Sequence, residues 1–430
     1  MNFLIQKYAF CRASRNALGI AFCSLANTVV FPQDGTAQTP AVSPQRQLLA
    51  ALTDLAAKQP RHVGAIYVAA RTAAALGDEQ TAFYWLDKLA EIGLDDEIDP
   101  DDFGPLTLTP GFLERAARFA DKARPIGSAS QLLELQCSNL LPEGTAFDSK
   151  REELLISSGR RRTIVAVDAR GRCRDVVPEG DGTLFAVLGM YADPSNDTLW
   201  VASAAAPFMI NATPAEAGGS ILARIDLARG RVIASYRLAG SGLLNDLSRG
   251  KDGSVYVTES RGGTIYVLRP THNELQPLFP QDTFESPNGI LVLPDGNLLV
   301  ADFDGLALIL DPSATEPRVQ RLNTPDDLYL GGIDGLAWSE GRVVAIQNLV
   351  GRSRIWSLSI DPKGSRISNA LVLMRGHPDF LNPTTGVVVG RSFRFIADTK
   401  LQTVLPDGTL SALPAGRTGH RVITLMIDFP

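Results

Sequence analysis

A repeat of about 45 residues is the feature that most limits what this chain can fold into. From Leu132 onward, short β-branched runs alternate with Gly, Asp, Pro and Asn, which is typical of an all-β protein. Six runs align as copies of one strand, at 154–158, 199–203, 255–259, 298–302, 343–347 and 394–398. Units of this length, with about four strands each, bury their faces only when they stack around a ring. The repeat predicts a mainly β fold, a six-bladed β-propeller over residues 130–430.

Two further features of this region concern the ring as a whole. Segment 132–137 precedes the first complete unit, and we expect it to pair with 422–427 of the last unit as its outer strand. This pairing closes the ring and removes open sheet edges. Segment 204–219 is rich in Ala, Pro and Gly and lengthens the second unit, which indicates a loop insertion able to roof the central channel.

The N-terminal residues have the pattern of an export leader. Residues 1–43 carry Lys7, Arg12 and Arg15 ahead of an apolar stretch at 17–31, followed by a flexible Pro-, Gln-, Thr- and Ser-containing segment. The apolar stretch is too short and too interrupted for a membrane span, so we expect none in the mature chain. A signal peptide predicts a periplasmic or secreted protein, and a cytoplasmic protein is the alternative.

Residues 44–126 follow a helical pattern, with Ala, Leu and aromatic residues recurring at spacings of three and four. Gly77 and Asp78 separate two amphipathic stretches, and the small residues Ala70 and Ala82 fall where paired helices must approach closely. The segment resembles a tetratricopeptide hairpin, and a plain three-helix spacer fits equally well. Because one such unit cannot bury its own faces, we expect it to pack against the propeller or to bind a protein partner.

Charge and cysteine content narrow the classes of function. The net charge is -6, and the run from Arg160 to Arg162 is short and interpreted as a solvated turn, so nothing predicts a nucleic-acid partner. Of the four cysteines, two fall in the leader. Cys137 and Cys173 remain, which an exported protein could pair and a cytosolic one would keep as small core residues.

Four polar residues recur at one position of the repeat, thirteen to fifteen residues before the end of the aligned strand: Glu143, Asn245, Asn288 and Asp334. The second unit has Gly189 or its apolar neighbours there, and the sixth has Thr384 and Thr385. Taken singly, Asn-Gly and Asp-Gly pairs are turn signals. At the start of the innermost strand, however, two carboxylates and two amide oxygens would face the channel and require a cation.

The ligand chemistry of this set predicts one divalent cation. Its oxygen donors carry a formal charge of -2 and include no Cys or His. Hard ions prefer such donors, so Ca²⁺ is the expected ion, with Mg²⁺, Mn²⁺ and Zn²⁺ as alternatives.

The motifs around these residues resemble the SMP-30/gluconolactonase family. They are Leu-Pro-Glu-Gly-Thr-Ala-Phe-Asp at 141–148, Leu-Asn-Asp at 244–246, Ser-Pro-Asn-Gly-Ile-Leu-Val-Leu-Pro-Asp-Gly at 286–296 and Ile-Asp-Gly-Leu-Ala-Trp at 333–338. The family's metal positions fall on the same four residues in the same order. The resemblance covers residues from Leu132 to the C-terminus and implies a calcium-dependent lactonase or esterase.

A metal with open positions can hydrolyse a lactone or ester without a serine nucleophile, and the chain has no Gly-x-Ser-x-Gly motif. The resemblance implies that Asp334 is the catalytic residue, either as a ligand only or as a ligand and base. His377, in the loop before the sixth unit, and Thr384 are candidate substrate-proximal residues, although His377 also fits a surface loop.

The substrate is expected to be a small lactone or ester. Family members that act on sugar lactones tend to carry a basic residue two positions before the third-unit Asn, where this chain has Leu243. Apolar residues near the ligands suit a hydrophobic substrate or simply belong to the core: Leu243, Leu244, Ile290, Ile333 and Leu336. A metal-stabilised binding or scaffold protein is the alternative function, and a strictosidine-synthase-like protein is a third, disfavoured by the complete ligand set.

Overall fold

A computed structural model describes residues 43–94, 98–122, 124–179, 182–348, 353–361, 363–380, 382–411 and 419–427. These residues form two compact units, one with the helices up to Arg124 together with Thr324–Leu330, the other with the β-sheets. The predicted leader, apart from Ser43, lies outside the described residues. None of the helices in the described part of the chain is long and apolar enough to cross a membrane.

The helical unit contains four α-helices among its described residues: α1 (Pro44–Lys58), α2 (Val63–Ala75), α3 (Glu79–Glu91) and α4 (Pro110–Lys122). Short 3-10 turns at Pro100–Asp102 and Gly104–Leu108 precede α4. Asp78 caps α3 by accepting a hydrogen bond from Thr81 N at 3.1 Å. Ala70 and Ala82 are fully buried. The predicted helical region is confirmed, while its tetratricopeptide character stays a prediction.

The second unit consists of six four-stranded sheets, and all of their named strand pairs are antiparallel. Blades are numbered in chain order. Blade one contains β2 (Thr145–Asp148), β3 (Glu153–Ser158), β4 (Thr163–Val167) and β5 (Cys173–Asp175). Blade two contains β6 (Ala186–Asp193), β7 (Thr198–Ala204), β8 (Ser220–Asp226) and β9 (Arg231–Arg237). Blade three contains β10 (Leu244–Arg249), β11 (Val255–Glu259), β12 (Thr264–Leu268) and β13 (Gln276–Pro277). Blade four contains β14 (Ile290–Val292), β15 (Leu298–Asp302), β16 (Gly305–Leu310) and β17 (Arg318–Arg321). Blade five contains β18 (Ile333–Ser339), β19 (Arg342–Gln347), β20 (Arg354–Ile360) and β21 (Ile367–Arg375). Blade six contains β22 (Gly386–Val389), β23 (Ser392–Ile396) and β24 (His420–Met426), with β1 (Gln131–Leu135) as its outer strand. This confirms the predicted six-bladed propeller.

The aligned strand of each repeat is the second strand of its blade, as the sequence predicts. These strands are buried on both faces, because neighbouring blades pack on either side. In β3, Leu155 belongs to an apolar cluster shared with blade two, while Leu154 and Ile156 belong to a cluster shared with blade six. Burial on both faces explains why these runs are continuously apolar rather than alternating.

The ring closes through both ends of the propeller sequence. Strand β1 pairs with β24 in register from Gln131 opposite Thr424 to Leu135 opposite His420. The predicted closing strand is therefore confirmed. A disulfide joins Cys137, just after β1, to Cys173 at the start of β5, with a Cα–Cα distance of 5.9 Å. The sequence left this pairing open, and the structure ties the last blade to the first through it.

Candidate functional site

Each inner strand departs from regular pairing at the repeat position singled out by the sequence. In β6, β10 and β18 the register shifts, between Val187 and Met190, Leu244 and Leu247, and Ile333 and Leu336. In the other three blades, regular pairing starts two residues after Glu143, Asn288 and Thr384. Such bulges are common next to functional sites because they re-aim a side chain.

Glycines that follow these positions bring neighbouring blades into close contact. A Cβ atom on Gly144 would lie 2.0 Å from the Leu188 carbonyl oxygen, and one on Gly189 would lie 2.6 Å from that of Asn245. The same construction on Gly289 gives 2.3 Å to Asp334 O, and on Gly335 it gives 2.6 Å to Thr384 O. Four of the six junctions between repeat positions therefore leave no room for a side chain.

Hydroxyl groups complete the remaining two junctions. Thr384 and Thr385 donate to the Glu143 carbonyl oxygen at 2.8 and 2.7 Å. The Thr258 hydroxyl donates to the Asn288 carbonyl oxygen at 2.7 Å and accepts a hydrogen bond from the Asp246 N–H at 3.1 Å. The six repeat positions thus form one closed ring, called here the site ring: Glu143, Leu188, Asn245, Asn288, Asp334 and Thr384.

The ends of the second strands fix the loops that lead into the site ring. Asp302 is fully buried and accepts hydrogen bonds from the backbone of Glu285 and Ser286, just before Asn288. Glu259 accepts from Leu243 N at 2.7 Å in the same way. These carboxylates bond to backbone only two or three residues before a ring residue. They therefore fix the position of the backbone that carries Asn245 and Asn288.

Two polar residues beyond the second strands connect neighbouring ring positions. Asn348 donates through Nδ2 to Asp334 Oδ2 and to Pro383 O, both at 2.5 Å. Ser260 accepts from Asn245 Nδ2 at 3.0 Å and donates to Pro287 O at 2.7 Å. In both cases one side chain holds a ring residue of its own blade and the backbone just before the next ring residue.

Asp246, the last residue of the Leu-Asn-Asp motif, adds a third carboxylate beside the four predicted ligands. Burial raises its pKa to about 7, backbone N–H groups of Leu247 and Ile290 oppose that rise, and the charge of Asp334 adds to it. The sequence signal is positional, because the equivalent residue is Gly in four other blades. A non-glycine residue there marks a functional or structural exception.

The donor chemistry of the ring suits a hard divalent cation. Glu143, Asn245 and Asn288 are half-buried, and Asp334 is buried. Within the described part of the chain, the buried Oδ1 atom of Asn348 has no hydrogen-bond partner, although its Nδ2 donates to Asp334. Among the described residues, no His, Cys, Asp and Glu side chains form a metal-holding group of three or more on their own. A cation would therefore need the amide oxygens as well, and carboxylate and amide oxygens are donors that Ca²⁺ accepts.

The two substrate-proximal candidates occupy different surroundings. Thr384 is fully buried, and its hydroxyl donates to the Glu143 carbonyl oxygen within the site ring. His377 is half-buried in the loop after β21, where its Nδ1 accepts from Asp379 N at 3.2 Å and its ring lies 5.7 Å from that of Phe380. These contacts belong to the histidine's own loop.

Most of the apolar residues near the ligands belong to the core. Leu244, Ile290 and Ile333 are each at most 2% exposed. Leu243 and Leu336 are half-buried. An apolar substrate surface, if present, must therefore come largely from other residues.

Comparison with known proteins finds no matching family and only solved structures of low similarity. Models of known protein families give no match, and curated proteins give none either. Similar solved structures include an aldose sugar dehydrogenase from Streptomyces coelicolor, at 16% identity and a TM-score of 0.48, covering 71% of this chain and 99% of that one. A gluconolactonase from Xanthomonas campestris matches at 14% identity and a TM-score of 0.45, covering 70% and 99%. A virginiamycin B lyase from Staphylococcus aureus matches at 14% and 0.45, covering 69% and 99%. Likenesses at this level identify neither a family nor an activity for this chain.

Proposed function

We propose that this chain is a divalent-metal-dependent hydrolase of a lactone or related carboxylic ester. The observation that carries the proposal is the closed site ring, in which four of the six positions have a carboxylate or amide side chain. Glu143, Asn245, Asn288 and Asp334 are the proposed ligands, and Ca²⁺ is the proposed ion. When bound, the cation would polarise the ester carbonyl and make an attacking water more acidic.

Asp334 is the proposed base. It is 5% exposed and held through Oδ2 by the Asn348 amide. Because one oxygen is fixed in this way, the carboxylate keeps a constant orientation, which favours proton transfer from a positioned water. Asn348 is accordingly a positioning residue and not a catalytic one.

The test combines metal removal with site variants. Hydrolysis of a panel of aliphatic lactones, sugar lactones and aryl esters is measured after chelation and after restoring Ca²⁺, Mg²⁺, Mn²⁺ or Zn²⁺. We expect metal-dependent turnover, and a fall in kcat/KM of about 100-fold or more in Asp334→Asn, the size of a general-base contribution. Asp226→Asn is the matched control, because Asp226 ends β8 and its carboxylate holds the turn at Arg229.

A second measurement separates an enzyme from a scaffold. Calorimetric titration with Ca²⁺ reports ion binding independently of turnover, and thermal unfolding reports the fold. Tight binding by the wild type without hydrolysis of any panel member would establish the metal-stabilised scaffold and reject the hydrolase. Absence of ion binding in a folded wild type would reject the metal site itself.

A further inference from the structure

Loop 205–219, between β7 and β8, lies at the blade end that carries the site ring. Its Ile210 N–H donates to Arg160 O at 2.9 Å in blade one. Its Gly218 O accepts from Gly242 N at 3.1 Å, ahead of β10 in blade three. A Cβ on Gly408, between β23 and β24, would lie 2.2 Å from Pro207 O. The insertion predicted from the sequence therefore reaches three blades besides its own.

Arginines of blade one brace this loop. The Arg160 guanidinium donates to Phe208 O at 2.9 Å. Arg162 is 6% exposed, donates to Leu184 O at 2.8 Å and pairs with Glu216 at 2.6 Å. The prediction that residues 160–162 form a solvated turn is thus wrong for Arg162, because the loop covers it. Because the loop is held at both ends, it loses little conformational entropy when a ligand binds to its side chains.

The braced loop places an apolar surface beside the ring. A Cβ on Gly159 would lie 3.1 Å from the Phe208 ring and 3.2 Å from Leu141 O, two residues before Glu143. Phe208 is only half-buried, and so are Ala205 and Ala206 next to it. All three pack against the apolar cluster between blades one and two. Phe208 thus has one side on the core and leaves part of its surface open near the start of the first inner strand.

We infer that Phe208 is a specificity-determining residue, and that the apolar wall of Phe208, Ala205 and Ala206 selects lactones or esters with an apolar chain. This inference rests on the proposed hydrolase function and names the substrate class of the same site. A polyhydroxylated substrate would have to leave hydroxyl groups unpaired against this wall. Each methylene buried there should improve kcat/KM about fourfold.

The test is a chain-length series of alkyl-substituted lactones. We expect kcat/KM of the wild type to rise with chain length and the long-to-short ratio to fall at least tenfold in Phe208→Ala. Ile233→Ala is the matched control, because Ile233 is an apolar residue, 45% exposed, on β9 of the same blade. It should keep the wild-type ratio. The same ratio in Phe208→Ala and wild type would overturn the wall while leaving the hydrolase standing.

A binding series gives a readout that does not depend on turnover. Non-hydrolysable lactams with the same alkyl chains are titrated calorimetrically into wild type and Phe208→Ala, with far-ultraviolet circular dichroism as the check on folding. Wild-type affinity should rise with chain length and that rise should shrink in the variant. If no lactone or ester is hydrolysed, the proposed function fails. The lactam series then still tests the apolar wall. If affinity depends on chain length equally in wild type and Phe208→Ala, the wall is rejected.

Discussion

Replacing Gly289 by alanine should disturb both the stability of the propeller and its site. The new Cβ would lie 2.3 Å from Asp334 O, whereas ordinary contact begins at 3.4 Å. The clash is with backbone, so two inner strands must separate by roughly 1 Å, a strain that costs about 1–3 kcal/mol in a well-packed interior. Because Asn288 and Asp334 flank this contact, Ca²⁺ affinity should fall together with stability.

Urea unfolding, followed by tryptophan fluorescence, measures the stability of Gly289→Ala, and calorimetric titration measures its Ca²⁺ affinity. Gly64→Ala is the control, because Gly64 lies in α2 and a Cβ there would meet nothing closer than 3.5 Å. That variant should be neutral or more stable by up to about 1 kcal/mol. A Gly289→Ala protein within about 0.5 kcal/mol of wild type, with unchanged Ca²⁺ affinity, would refute the argument that blade contact requires glycine here.

Two further predictions concern ring closure and pH. Cys137 and Cys173 are 36 residues apart in sequence, and closing a loop of that size destabilises the unfolded chain by about 4 kcal/mol. The Cys137→Ser/Cys173→Ser protein should therefore unfold at a lower urea concentration. A midpoint equal to that of the oxidised wild type would contradict this. His420 is 3% exposed, and burial, with the Lys400 charge, lowers its pKa to about 4. Since its unfolded pKa is near 6.5, the unfolded state binds the extra proton first, and stability should fall by up to about 3 kcal/mol as pH drops from 6.5 to 4. His420→Gln should flatten that part of the urea-midpoint profile, and an unchanged slope would rule out this histidine as the cause.

The sequence predicted the central strands best, because burial on both faces leaves a continuous apolar run. The six second strands begin and end within two residues of their predicted positions. Outer strands were less visible: β13 consists of Gln276–Pro277 alone, and a proline cannot donate a ladder hydrogen bond. The sequence left the disulfide open, because its cysteines meet only once the ring has closed.

The site was predictable as a position and not as a set of contacts. Repeat alignment located the ring residues, since each blade presents the same point of its inner strand. The alignment could not identify Asn348, because its role depends on contacts distant in sequence. Asn348 follows β19 and bonds to Asp334 in β18 and to Pro383 of the next blade. Nor could the alignment show that Arg162 is buried, because three adjacent arginines indicate a solvated turn unless the covering loop is known.

The turn interpretation and the metal interpretation of the Asn-Gly and Asp-Gly pairs are two halves of one pattern. In each pair the first residue carries a side-chain oxygen and is a proposed ligand, and the glycine that follows makes room for the carbonyl of the next blade. Asp246 breaks the pattern, because it places a carboxylate where four other blades have glycine, and its Oδ2 lies 3.4 Å from Ile290 N. The blade junction that follows Asn245 therefore differs from the glycine junctions in both space and charge. If the ring binds a cation, the Asp246 carboxylate adds a third acidic group to its surroundings, and ion affinity should depend on Asp246 although it occupies a packing position.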